Sequence, residues 1–227
     1  MYPSTPQSTI DLSKGGQAAR HKVLRNTYWL LALSMIPTVL GAVAGMSFGI
    51  AFTGIMGFVI FLAVAFGFMW AIEKTKNSGM GVALLLGFTF FMGMMLAPLL
   101  THTLNYSNGA SLIMTAFGGT AVVFAVMASI ATTSKRDFSG MGSWLMAGVV
   151  VLLLAVVANI FLQMSVLSIV ISVLAIGIFS AFILYDVQRI INGGETNYVT
   201  ATLSIYLNVF NIFSSLLRLL GIVGGDD

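Results

Sequence analysis

Long apolar runs alternate with short polar gaps along this chain, and the gaps carry nearly every charge. Tyr28 to Ile72 contains no charged residue. A membrane-spanning helix needs about 20 apolar residues, so this stretch is long enough for two spans. It predicts a fold-back, marked by Gly45, Ser47, Gly49, Thr53 and Gly54. Glu73-Lys74-Thr75-Lys76-Asn77 closes the second span. Met80 to about Thr103 predicts a third, with Pro98 near its far end, followed by a short polar loop of His102, Asn105, Tyr106, Ser107 and Asn108. Ala110 to Ile130 predicts a fourth, closed by Lys135-Arg136-Asp137. Trp144 to Tyr185 is again double length and uncharged, and Asn159, Gln163 and Ser165 mark its midpoint, giving spans five and six. Asp186 to Tyr198 is polar, with Asn192-Gly193-Gly194 as the breaker, and Val199 to Gly221 is a seventh span. The expected fold is an all-α integral membrane protein with seven transmembrane helices. It divides into a basic tail (1–27), a transmembrane domain (28–221) and a short C-terminal tail (222–227).

Composition agrees with this pattern. Only 7% of residues are charged and 58% are hydrophobic, whereas a soluble domain carries roughly 25% charge. So few charges cannot cover a water-facing surface. Lys14, Arg20, Lys22 and Arg25 precede the first span. The gaps after spans two, four and six carry two, two and one basic residues, and those after spans one, three and five carry none. Positive loops stay cytoplasmic, which places the N-terminus in the cytoplasm and the C-terminus on the other face. Arg218, late in span seven, is the exception, and its long side chain can snorkel to the far interface. The net charge of +3 is thus a topology signal, and no nucleic-acid partner is expected. The basic lead before Tyr28 and the Ala42-Val43-Ala44 triplet have the outline of a signal peptide. The long polar lead and the apolar run continuing past the triplet favour a retained anchor.

The tail is polar and expected to be unstructured and mobile. Gly41, Gly45 and Gly49 recur every four residues on one face of the first span, the pattern that lets helix backbones approach. Close contact within the bundle is the first reading and self-association the second. The absence of cysteine excludes disulfides, thiolate catalysis and cysteine-held metal clusters.

Candidate chemistry reduces to intramembrane polar groups, which are expensive there. Asp186 ends span six, with Arg189 three residues on along the same helix face. Two readings stand: an interfacial ion pair closing a span, or a buried carboxylate whose protonation opens or closes a path. Asn208 and Asn211 of span seven read as hydrogen-bonding glue between helices. Tyr185-Asp186 with Gly224-Gly225-Asp226 has the outline of an intramembrane aspartyl protease, but Val223 replaces the first glycine and Asp226 lies beyond the last span. A serine–histidine pair would need His102, at the opposite face from Ser143. No phosphate loop, metal spacing or cofactor motif is present, and no enzyme is expected.

Several runs together resemble a known family. They are His21-Lys22-Val23-Leu24-Arg25-Asn26-Thr27-Tyr28, Met146-Ala147-Gly148, Val157-Ala158-Asn159-Ile160-Phe161-Leu162-Gln163, Gly193-Gly194-Glu195-Thr196-Asn197-Tyr198, Asn211-Ile212-Phe213 and Leu216-Leu217-Arg218-Leu219-Leu220-Gly221. The chain resembles the bacterial Bax inhibitor-1 family, most closely its YccA-like branch, over everything after the tail. That resemblance implies a seven-helix bundle with the last helix central. It implies a multi-pass protein of the bacterial inner membrane that binds and inhibits the membrane-bound AAA protease FtsH. The protease's membrane regulators are further candidate partners, and lipid surrounds the spans. The chain would itself be a slow substrate, engaged through the tail that carries Lys14, Arg20, Lys22 and Arg25. Other family members are pH-sensitive calcium leaks with an aspartate pair on helices six and seven, latched by an arginine on helix two. Asp186 matches the first aspartate. Asn208 stands at the second, and Phe52 to Ile72 holds no arginine. The resemblance therefore favours the protease modulator, with the calcium leak as the alternative, its latch reduced to Asp186, Asn208 and Arg189.

Overall fold

A computed structural model describes residues 7–49 and 54–225, with side chains described from residue 16 onward. Seven helices follow one another: α1 (Gln7–Phe48), α2 (Gly54–Thr75), α3 (Gly79–Leu104), α4 (Gly109–Thr133), α5 (Gly142–Leu162), α6 (Ser165–Ile191) and α7 (Tyr198–Gly224). Each is long and apolar enough to cross a membrane. Their outer faces are rich in exposed apolar side chains, such as Leu40 and Val43 of α1 and Val151 and Leu154 of α5. That is the surface a lipid solvent requires and water forbids.

The turns form where the sequence marks them. Gly49 (φ +63°) and Gly54 (φ +67°) flank the first fold-back, in the left-handed region that glycine enters freely. Of the other residues marking that turn, Gly45 and Ser47 remain inside α1 and Thr53 lies outside the described residues. Between α5 and α6, the Asn159 carboxamide donates to Ser168 Oγ (2.8 Å) and accepts from the Met164 backbone N (3.0 Å). These bonds hold the tight turn through Gln163, at φ 51°.

Two expectations change. The N-terminal segment is not without structure: α1 is helical from Gln7 and continues unbroken into the first span. Gln17-Ala18-Ala19-Arg20 are good helix formers, and polarity alone hides that. Lys14 lies on this helix, but its side chain is outside the described ones. Span six also runs past Tyr185 to Ile191, because Ile183, Leu184, Val187 and Ile190 continue one buried face of α6. The helix ends only where Gly193 takes φ +79°.

Helix α7 is the centre of the bundle. It packs against α1, α2, α3, α4 and α6, while α5 packs on α6 and touches α2. The core around it gathers Leu85, Phe88, Ile183, Val187, Ile205 and Tyr206. Apolar burial drives little association inside lipid, so close packing and polar bonds must hold the helices together. The α1–α3 contact shows the first device. A Cβ on Gly41 would collide with the Phe90 carbonyl, and one on Gly45 would lie 2.7 Å from Ala97 Cβ. Gly93 of α3 returns the contact against the Thr38 carbonyl. Gly49 takes no part and ends the helix. Thr202 and Tyr206 show the second device. Thr202 Oγ1 donates to the Thr27 carbonyl (3.3 Å). The Tyr206 hydroxyl lies 2.9 Å from Thr38 Oγ1 and donates to the Thr89 carbonyl (3.3 Å).

The polar gaps assemble by face. At one end, Arg20 Nη1 donates to the Ile191 carbonyl (3.3 Å), Asn197 Nδ2 reaches the Lys76 carbonyl (3.1 Å), and Gln188 holds the Arg136 to Phe138 loop. At the other, Asn108 Nδ2 donates to the Gly224 carbonyl (2.6 Å). The tail and the three basic gaps therefore share one face, and the cation-free α3–α4 gap shares the other with the C-terminus. Trp29, Trp70 and Trp144 all stand exposed near the basic face, where amphipathic rings mark a membrane boundary.

Candidate functional site: the polar junction of α6 and α7

Asp186 and Asn208 meet. Asn208 Nδ2 donates to Asp186 Oδ2 at 2.7 Å, and both residues are buried, 8% and 6% exposed. Asp186 lies inside α6 rather than at its end, on the face turned toward α7. Its depth follows from its neighbour: the Tyr185 ring lies against Gly142, where a Cβ would sit 2.9 Å away. Gly142 opens α5 two residues before exposed Trp144. The carboxylate therefore lies near the membrane boundary of the basic face, away from midspan.

Arg189 does not join the pair. Its guanidinium Nη2 lies 3.7 Å from Glu195 Oε2 and its Nε donates to the Gly194 carbonyl (3.3 Å). The i to i+3 spacing suggested an Asp186–Arg189 ion pair. Among the described residues that pair does not form, because Asp186 faces α7 while Arg189 turns to the α6–α7 loop. Asn211 donates to the Leu207 carbonyl of its own helix (2.8 Å), whereas Asn208 bonds across to α6. Arg218 is exposed. His102 packs edge-on against Tyr106, at the end opposite Ser143. Among the described residues, no three His, Asp or Glu side chains gather where they could hold a metal ion.

The Gly-Gly-Glu-Thr-Asn-Tyr run acquires a mechanical meaning. Gly193 turns the chain beside the Arg20 guanidinium, whose Nε would lie 3.0 Å from a Cβ there. Glu195 Oε1 accepts from the Thr196 and Asn197 backbone N–H groups (2.9 Å each). Asn197 caps α7, its Oδ1 accepting from Val199 N (2.9 Å) and Thr200 N (3.3 Å). Its Nδ2 also reaches Asn77 Oδ1 (2.8 Å). The loop thus ties α1, α2, α6 and α7 together.

Gln188 escaped the sequence reading. It is 5% exposed, donates through Nε2 to the Arg136 carbonyl (2.6 Å) and accepts from Phe138 N (2.5 Å). The available signal was its place two residues after Asp186, with apolar Val187 and Ile190 around it. The loop it fastens carries Asp137, whose carboxyl is held below the usual carboxylate range by hydrogen bonds from the Ser139 hydroxyl and backbone N–H.

A seven-helix membrane bundle with a central last helix, and a buried acid near one face of it, defines the class. The chain belongs to the Bax inhibitor-1 family: the family model described as "inhibitor of apoptosis-promoting Bax1" matches residues 20–225. It is 41% identical to the Escherichia coli modulator of FtsH protease YccA, over 91% of this chain and 92% of that protein. It is 38% identical to a membrane protein of Vibrio cholerae, over 99% of this chain and 100% of that one. The Vibrio relative is named a membrane protein, and YccA of a second Escherichia coli strain, equally similar, is named an inner membrane protein.

Proposed function

We propose that this chain modulates a membrane-bound AAA protease of the FtsH type in the bacterial inner membrane, with its N-terminus in the cytoplasm and its C-terminus in the periplasm. The observation that carries the reading is the 41% identity to the FtsH modulator YccA over nearly the whole of both chains. The geometry supports a mechanism. Residues 16–22 are all exposed, and an isolated short helix is marginal in water. Such a segment offers an unfoldase an easy start. The bundle behind it is tied at four elements by the α6–α7 loop and resists extraction, because well-packed regions open only at a large fraction of the global free energy. A chain that is easily gripped and slowly pulled occupies the protease, and so inhibits it. Among the described side chains the first tertiary hydrogen bond is that of Arg20 on Ile191, and a deletion through Ala19 leaves it intact. In cells containing the protease, this deletion lengthens the protein's lifetime and leaves the spans inserted. An unchanged lifetime counts against the handle, and failure to co-purify with the protease from native membranes counts against the modulator reading itself.

The calcium-leak alternative has less support. Asp186 faces a neutral amide where the leak mechanism asks for a second carboxylate, and Arg189 is engaged by Glu195. In a liposome flux assay, little calcium flux is expected from the wild type. A robust flux that is lost in Asp186→Asn would put the leak first.

A further inference from the structure

A lateral groove of about 730 Å³ opens between α1 and α4, floored by α3 and α7. The backbones of α1 and α4 stay apart over their described length. Near the basic face the gap is closed by Tyr28 and Phe124, whose rings meet edge to face at 5.8 Å. The groove follows α1 from Tyr28 to Met46, roughly 27 Å at the helical rise. One hydrocarbon chain, about 4–5 Å wide at van der Waals contact, can lie along a groove of this length.

The chemistry of the groove points the same way. Its lining is almost wholly apolar. The hydroxyls of Thr38 and Tyr206 on its floor lie within hydrogen-bond distance of each other and of the Ser34 and Thr89 carbonyls, so both of their protons have acceptors within the protein. Basic residues gather at the Tyr28 end, and among the described residues Arg218 of α7 is the one cation toward the other end. Arg25, exposed, is one turn outward of Tyr28 on α1, and α4 runs out into Lys135 and Arg136. Basic residues at a membrane boundary attract anionic headgroups.

We propose that this groove is a binding site for one acyl chain of an anionic phospholipid from the leaflet at the basic face, its phosphate lying toward Arg25. Tyr206, Val209, Phe210 and Phe213 of α7 line the groove, while Asn208 on the opposite side of α7 holds Asp186. Occupancy therefore bears on the same central helix that carries the polar junction.

The test uses the full chain in phosphatidylethanolamine vesicles containing a little phosphatidylglycerol with a photoactivatable acyl chain. Adducts on the groove residues Met35 and Phe117 should exceed those on the lipid-facing α5 residues Val150 and Leu154 severalfold. Gly118 lines the groove and a Cβ there would meet nothing within 4 Å, so Gly118→Phe is chosen to place its ring in the groove. It should lower groove labelling severalfold and leave α5 labelling unchanged. Ala121→Leu serves if that variant fails to insert. Equal labelling of groove and α5 overturns the site. Labelling weaker in the groove than on α5 also overturns it, because it marks a protein helix covering the opening. The same photoactivatable chain on phosphatidylethanolamine should label the groove less, and Arg25→Gln should abolish that preference. Equal labelling by both lipids overturns the anionic headgroup.

Discussion

At the scale of single residues, the buried polar groups separate into those that need charge and those that need a partner. Asn208 needs an acceptor, and an asparagine at 186 supplies one as well as an aspartate does. Asp186→Asn should therefore change stability by less than about 1 kcal/mol, the net worth of one hydrogen bond. Asp186→Leu leaves the Asn208 amide buried without its partner and should cost about 1–3 kcal/mol. Thermal unfolding in detergent compares the two, and equal losses would show that the Asp186–Asn208 bond is not what the site contributes. Gln188→Ala strands the Arg136 carbonyl and the Phe138 N–H at once, so a similar loss of about 1–3 kcal/mol is expected. Gly41→Ala acts by shape alone. The added methyl collides with the Phe90 carbonyl, and overpacking of this kind costs typically about 1–3 kcal/mol.

At the scale of elements, the α6–α7 loop is where a small change should travel furthest. Asn197→Ala removes the α7 cap, worth about 1 kcal/mol, and releases the Asn77 and Lys76 contacts with it. Proteolysis within residues 192–197 should accelerate while the spans remain protected, and uniform cleavage along the chain would contradict the loop's role as a tie. The existence of the seven spans was legible because it depends only on apolar length. The end of α6 was not. Asp186 and Gln188 are polar yet point into helix–helix contacts, so a polarity count ends the span before the buried face of Ile183, Val187 and Ile190 does. The glycine stripe was half legible: Gly41 and Gly45 pack on α3, but Gly49 lies beyond the helix and serves the turn. The Asp186–Asn208 contact was within reach of the resemblance. The departure of Arg189 to Glu195 was not, because it depends on how Gly193 and Gly194 fold the loop back. The lateral groove leaves no trace in the sequence, since it arises from the spacing of α1 and α4.

At the scale of the whole molecule, the contacts and the charge pattern make the same division of the chain into two faces. Arg20 on Ile191, Asn197 on Lys76 and Gln188 on Arg136 gather the tail and the three basic gaps at one end. Asn108 on Gly224 joins the α3–α4 gap to the C-terminus at the other. Basic residues near span ends favour the cytoplasmic side, so the first face is expected inside. A reporter fused after Gly224 should then behave as periplasmic and one inserted in residues 134–138 as cytoplasmic. The insertion is the sharper of the two, because it tests a loop whose side is set by Lys135 and Arg136 and whose position is held by Gln188. Replacing both cations with glutamine should weaken the orientation signal of that loop. The bundle should nevertheless insert the same way, since Arg20, Lys22, Arg25, Lys74 and Lys76 still lie on the same face. A periplasmic signal from the wild-type loop would invert the protein, put its N-terminal segment out of reach of a cytoplasmic unfoldase and remove the handle on which the modulator mechanism depends.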